Sequence, residues 1–275
     1  MIIDKNKSVH VLTIGGSDSS GGAGIQGDLK TFSALGSYGM SVITALTAQN
    51  TLGVQEVQDI PSQFISSQIK SIFDDIRVDA VKIGMLFNAS VVKEVAKCLY
   101  DYKNLPIVLD PVMFAKSGDR LIEDTAIEAI KKKLFPLATI VTPNIAEAAA
   151  LVGRHLQSPK EIETATLELC SLGPEAVVIK GGNITTQTSD DCMVTKGSRP
   201  KWLYQKRILT KNTHGTGCTL SSAIATYLSC GKLLKKSCEL GIKYVNQAIG
   251  SNLNYGKGHG PINHLNSITI NKIFK

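Results

Sequence analysis

The six cysteines form no C-x-x-C pair, which excludes a zinc ribbon and a dithiol redox centre. Aromatic residues make up only 5% of the sequence and no recognition motif interleaves them with basic residues, so we expect no nucleic-acid partner. No apolar run approaches the ~18 residues that a membrane helix needs. The first ten residues are polar and lack an apolar signal core. We therefore expect no membrane partner, and a cytoplasmic protein whose thiols stay reduced. Walker-A, H-R-D, D-F-G and G-x-S-x-G motifs are all missing, which argues against a P-loop NTPase, a protein kinase and an α/β-hydrolase. With nine prolines and 43% apolar residues, disorder is excluded too. No linker or repeat divides the chain, so residues 1–275 read as a single domain.

Lysine and arginine exceed aspartate and glutamate by 30 − 23 = 7. A basic balance suits an anionic small substrate. The densest clusters, Lys131 to Lys133 and Lys232 to Lys236, read as solvated helix faces and ends.

Short apolar runs alternate with stretches of helical spacing. Strands are expected at 11–14, 40–46, 80–83, 107–109, 139–141 and 176–179, with a hairpin from 192–195 and 202–204. Helices are expected at 25–35, 61–76, 90–99, 125–134, 143–152, 159–172, 216–230 and 233–252. This alternation predicts an α/β fold with a mostly parallel sheet covered by helices on both faces. Ligands of such sheets bind beyond the carboxyl ends of the strands.

Gly22-Ala23-Gly24-Ile25-Gln26-Gly27 matches G-x-G-x-x-G, but it is a decoy. Seven residues separate it from the strand, and no acid lies between Asp28 and Glu56 to hold a ribose. The loop instead leaves Asp28 where it can bond a polar ligand. The strongest element is the run Asn212 to Thr219, which enters a helix. Gly215 and Gly217 expose backbone N–H groups at a helix N-terminus, an anion site, and Thr216 adds a hydroxyl donor. Cys218 falls in the first turn, where the helix field is expected to lower its pKa.

Asp110, at a strand end before Pro111, is suited to hold Mg²⁺ directly or through water. Asn144 and Glu147 share one side of a helix start, which is also ordinary capping chemistry. Lys180, before Gly181-Gly182, either neutralises a phosphate or sits at a turn. Gln49 and Asn50 follow the second expected strand, and Met85 follows the third. An amide can read a ring nitrogen and an amino group, and Met fills an apolar slot.

Taken in order, these segments resemble the hydroxymethylpyrimidine/phosphomethylpyrimidine kinases of thiamine biosynthesis, within the ribokinase-like superfamily. The resemblance runs from about residue 10 to 265. It is carried by the segments 16–26, 44–51, 81–85, 109–113, 117–119, 142–144, 180–182, 213–219 and 256–261. It implies a ribokinase-like three-layer sandwich and two successive phosphorylations of the pyrimidine with MgATP. It also implies that Gln49 binds the pyrimidine, with Asp28, Met85 and Gly16 lining that pocket. Asp110 and Glu147 would hold magnesium-linked water, and Lys180, Thr213 and Asn144 would contact ATP. Gly215, Thr216 and Gly217 would form the anion hole, with Cys218 as the base. Residues 116–120 would form part of a lid that excludes water.

Cysteine at 218 also suits the related cysteine-type pyridoxal kinases, which gives the alternative reading. A non-catalytic binding regulator would have lost Asp110, Cys218 or the glycine loop, and all are present. Departures from the family pattern include Gly27, Phe114 and Asn183. The sequence ends soon after the resemblance does, so no fused second enzyme is expected. Homodimers are common among such kinases, but no interface is legible.

Overall fold

A computed structural model of the chain describes residues 8–102, 104–115, 118–181, 188–251 and 253–268. Among them, eight strands form one twisted sheet. These are β1 (His10–Gly15), β2 (Tyr38–Ile43), β5 (Ala80–Ile83), β6 (Ile107–Leu109), β7 (Ile140–Val141), β8 (Ala176–Ile179), β9 (Asp191–Thr195) and β10 (Lys201–Leu203). Their order is β10-β9-β8-β7-β6-β5-β1-β2. The pairs from β2 to β8 are parallel, and β9 and β10 add antiparallel.

Alternation along the strands feeds two cores. Leu12, Ile14, Val81, Ile83, Leu109 and Val141 face one layer. It includes α2 (Ser62–Phe73), α3 (Ala89–Leu99), α5 (Ile145–Val152) and α6 (Pro159–Ser171). Val11, Ala80, Val108, Ile140 and Val178 face the other. That second layer holds α1 (Gly24–Ala34), α7 (Thr216–Ser229) and α8 (Leu234–Gly250). A helix α4 (Asp124–Ala129) continues as a widened turn, Ile130–Leu134. The three-layer α/β architecture agrees with the sequence.

One expected strand is different. The run 40–46 divides at Thr44 into β2 and β3 (Ala45–Asn50). β3 leaves the main sheet and pairs antiparallel with β4 (Gly53–Asp59) as a separate hairpin. Thr44 is the corner: its N–H donates to the Gly15 carbonyl and its hydroxyl to the Met85 carbonyl. Gln49 and Asn50, which follow β2, therefore lie within a hairpin strand. Of the expected lid, residues 116 and 117 lie outside the described residues. Its remainder closes through a bridge between Phe114 and Arg120. Gly182 and Asn183 also lie outside them.

Candidate active site

The strand alternation that fills the α7-side core changes character at the carboxyl ends. Two residues beyond each apolar Val11, Ala80, Val108, Ile140 and Val178 stand Thr13, Lys82, Asp110, Thr142 and Lys180. The sheet thus aims a polar row at the start of α7. A cleft of about 550 Å³ opens there, lined by Gly16, Asp28, Gln49, Met85, Asp110, Asn144, Glu147, Lys180, Thr213 and the 215–218 loop, among others. All thirteen residues singled out from the sequence as site residues line this one cleft.

Gly215 is the N-cap of α7, with φ at 87°. A Cβ there would sit 1.8 Å from the Gly22 carbonyl oxygen, so the anion loop lies directly on the Gly16–Gly24 loop and only glycine fits. A methyl at Gly217 would come within 3.0 Å of the Lys180 Nζ, so the lysine stands over this loop. The Thr216 hydroxyl does not serve as a free donor. It donates to the Thr213 carbonyl at 2.7 Å and braces the turn.

Two lysine–carboxylate pairs flank Cys218. Lys82 Nζ lies 2.8 Å from Asp28 Oδ2, and both side chains are excluded from solvent. Asp28 also accepts from the Thr13 and Ser222 hydroxyls at 2.6 and 2.7 Å. Its carboxylate is thus engaged by protein donors at both oxygens. Burial works against the Lys82 ammonium, but Asp28, Cys218 and Asp110 outweigh it and hold its pKa above the usual value. The second pair is Lys180 Nζ with Asp110 Oδ1 at 2.7 Å. Asp110 Oδ2 accepts from the Ser221 hydroxyl at 3.1 Å.

Glu147 adds a second carboxylate to this second pair. Burial and the charge of Asp110 push it up to about 7, against the pull of Lys180. It closes a capping box at the start of α5, accepting from the Asn144 N–H at 2.8 Å while Asn144 Oδ1 accepts from the Glu147 N–H at 2.9 Å. Asn144 is therefore committed to the cap, and its backbone bridges to Lys180. Among the described residues no cluster of three or more His, Cys, Asp or Glu could cage a metal. Two carboxylates near one lysine fit a different mode. They suit a divalent cation that keeps most of its water and binds substrate phosphates, as Mg²⁺ does.

Cys218 departs from expectation. Removal from water is the largest influence on its thiol. Asp28 and Asp110 add to it, against the pull of Lys82 and a hydrogen bond from the Gly24 backbone. The net effect pushes the thiol up to about 12, so the field of the helix start is overcome.

Three residues that sequence reasoning passed over complete the site. Lys82 carried a signal: a lysine within the apolar run Ala80-Val81-Lys82-Ile83 must find a buried counter-charge. Asp18 accepts from the backbone of Ser20, Gly22 and Ala23, from the Ser20 hydroxyl and from His214 Nε2 at 2.7 Å. Burial opposes its ionisation, but His214 and these donors hold it down to about 2. His214 precedes the anion loop, and no local pattern in the sequence pairs it with Asp18.

A sequence model described as phosphomethylpyrimidine kinase matches residues 18–263. The hydroxymethylpyrimidine/phosphomethylpyrimidine kinase of Salmonella typhimurium is 44% identical over 262 residues, covering 94% of this chain and 98% of that protein. The thiamine biosynthesis bifunctional protein of Geobacter sulfurreducens is 47% identical over 255 residues. That match covers 93% of this chain, which spans about half, 52%, of the larger protein. Among solved structures, pyridoxal kinase from Staphylococcus aureus in complex with pyridoxal superposes with a TM-score of 0.87 at 33% identity, covering 96% of each chain. The family match runs from Asp18 through the anion loop to residue 263, and on it the chain belongs to the phosphomethylpyrimidine kinase family.

Proposed function

We propose that this chain is an ATP-dependent kinase of thiamine biosynthesis that phosphorylates hydroxymethylpyrimidine and then its monophosphate. The observation that carries this reading is the one cleft that Gln49 and Met85 line together with Asp110, Glu147, Lys180 and the glycine anion loop. Gln49 reads the pyrimidine edge, while Met85 and Gly16 give an apolar wall above the Asp28 floor. A methyl group at Gly16 would press on the Met85 sulfur at 2.9 Å, so glycine keeps that wall open.

The backbone N–H groups of Gly215, Gly217 and Cys218 and the Lys180 ammonium take the charge on the transferring phosphoryl group. Thr213 and Asn144 lie beside the nucleotide. Asp110 and Glu147 would hold magnesium through water, and the ion would supply positive charge to the phosphate oxygens. The acceptor oxygen bonds to the γ-phosphorus as the bond to the bridging oxygen breaks, ADP leaves, and the hydroxyl proton passes to Cys218. A thiol pushed up to about 12 keeps its own proton in the free protein. The thiolate that takes the hydroxyl proton therefore forms only after the thiol proton has left to solvent, as bound charge rearranges the pairs beside it. We place the protein in the cytoplasm, where ATP is at hand and its thiols remain free.

The test is ADP release with MgATP, using hydroxymethylpyrimidine, its monophosphate, pyridoxal and pyridoxine as separate acceptors. Turnover on both pyrimidines well above that on pyridoxal is the expected result. A second reading, a pyridoxal kinase, draws on the likeness to the Staphylococcus aureus enzyme. Turnover on pyridoxal without turnover on the monophosphate would establish that reading instead.

A further inference from the structure

The strap 256–262, most of which helped carry the resemblance, has no part in the chemistry above. It lies between two regions that do. At one end the His259 N–H donates to the Thr51 carbonyl at 2.9 Å, and the Gly258 N–H to the Thr51 hydroxyl at 3.2 Å. Thr51 turns the β3–β4 hairpin, two residues after Gln49. At the other end the His214 N–H donates to the Gly260 carbonyl at 3.0 Å, and the Ile262 N–H to the His214 carbonyl at 3.2 Å. The strap lies flat on both partners. A methyl at Gly258 would come 2.0 Å from the Thr51 carbonyl oxygen, and one at Gly260 2.2 Å from Asn212 Oδ1.

A second route joins the same two regions. His214 Nε2 meets Asp18 Oδ2 at 2.7 Å. Beside Asp18, Ser19 exchanges hydrogen bonds with the Gln49 backbone, its hydroxyl donating at 2.8 Å and accepting at 2.9 Å. The Ser17 carbonyl accepts from the Thr47 hydroxyl at 2.9 Å. Hairpin, strap, His214 and the Asp18 loop thus form a closed circuit of hydrogen bonds. Asp18, Gln49 and His214 of this circuit all line the cleft.

We infer that this circuit makes the acceptor hairpin and the anion loop one mechanical unit, with Thr51 and His214 as positioning residues that link acceptor binding to nucleotide binding. A displacement of Gln49 moves Thr51, and the strap delivers it to His214, one residue from Gly215. The inference rests on the kinase reading, since it needs both ligands to bind.

The experiment is calorimetric measurement of the ADP Kd with and without saturating hydroxymethylpyrimidine, in the wild type, Gly258→Ala and Thr51→Val. In the wild type the pyrimidine should change the ADP Kd by at least about fivefold. In Gly258→Ala the factor should fall below about twofold, with an intermediate value in Thr51→Val, which loses only the hydroxyl acceptor. Should Gly258→Ala fail to fold, Thr51→Val decides alone. A merely structural strap would lower the melting temperature of the variants and leave the factor unchanged, which overturns the inference. So does a wild type that binds both ligands independently. A wild type that binds neither ligand overturns the kinase reading as well.

Discussion

Two lysine–carboxylate pairs stand on either side of Cys218, and they are built for opposite ends. Asp28–Lys82 is closed. Its members are 0% and 1% exposed, and both Asp28 oxygens are held by protein donors. Asp110–Lys180 is open. Its lysine is 15% exposed, and Glu147 brings a second carboxylate to a single ammonium. One positive and one negative charge balance in the first pair. In the second, two carboxylates face one ammonium, and a proton on Glu147 offsets the surplus until a bound cation replaces it. Nearly equal distances, 2.8 and 2.7 Å, thus hide a difference between a rivet and a socket. What separates them is the count of charges and the access of water.

The sharpest way to break this comparison is to remove the group between the pairs. Cys218→Ala should lower kcat by roughly 10²–10⁴, the range of general-base loss, while the ATP Kd moves little. Steady-state rates beside ADP calorimetry check it, and wild-type turnover would end the base assignment. Next, the closed pair should behave as a structural unit. Asp28→Asn leaves the Lys82 charge buried without its partner, a loss of about 3–5 kcal/mol. That should appear as a fall of roughly 10 °C in melting temperature. Asp110→Asn should cost less stability and more activity, because Lys180 reaches water. Equal losses of stability in the two variants would contradict the division.

The open side should also be the pH-sensitive one. The folded-state pKa of Glu147, about 7, lies above the ordinary carboxyl value of 4.5. Between these values the folded chain holds a proton that the unfolded chain has lost. The stabilising contribution of that proton is therefore complete below about 4.5 and disappears as pH rises through 7. In Glu147→Gln, without nucleotide or divalent cation, the drop in melting temperature from pH 5 to pH 8 should be smaller than in the wild type. The smallest effect concerns thiol reactivity. Alkylation of Cys218 by iodoacetamide, followed by peptide mass, should keep rising with pH beyond 9 without a plateau, since the thiol is pushed up to about 12.

Strands such as Ala80–Ile83, Ile107–Leu109 and Ala176–Ile179 were legible to the residue because each is a short apolar run bounded by polar or turn residues. The β2–β3 corner was not. Met40 to Leu46 is apolar enough to read as one strand, and the turn at Thr44 is enforced by Gly15 and Met85, which are distant in sequence. The location of the site could be read because the strand-end acids, the lysine and the glycine loop occur as local motifs. Their state could not. The thiol of Cys218 is governed by Asp28, Asp110 and Lys82, and Thr216 is spent on Thr213. Local spacing shows which groups arrive at a cleft, but not which of them arrive already bonded.

The strap gives the site an order of birth. Every residue assigned to the chemistry has been made once Cys218 is in place, yet the hydrogen bonds to Thr51 and His214 must wait for residues 256–262. A nascent chain elongating at about 5–20 residues per second carries the full set of reactive groups for several seconds before the clasp behind them can close. During that interval the anion loop lacks one of its two anchors, so the growing polypeptide holds its reactive groups before it holds the geometry that lets them act together.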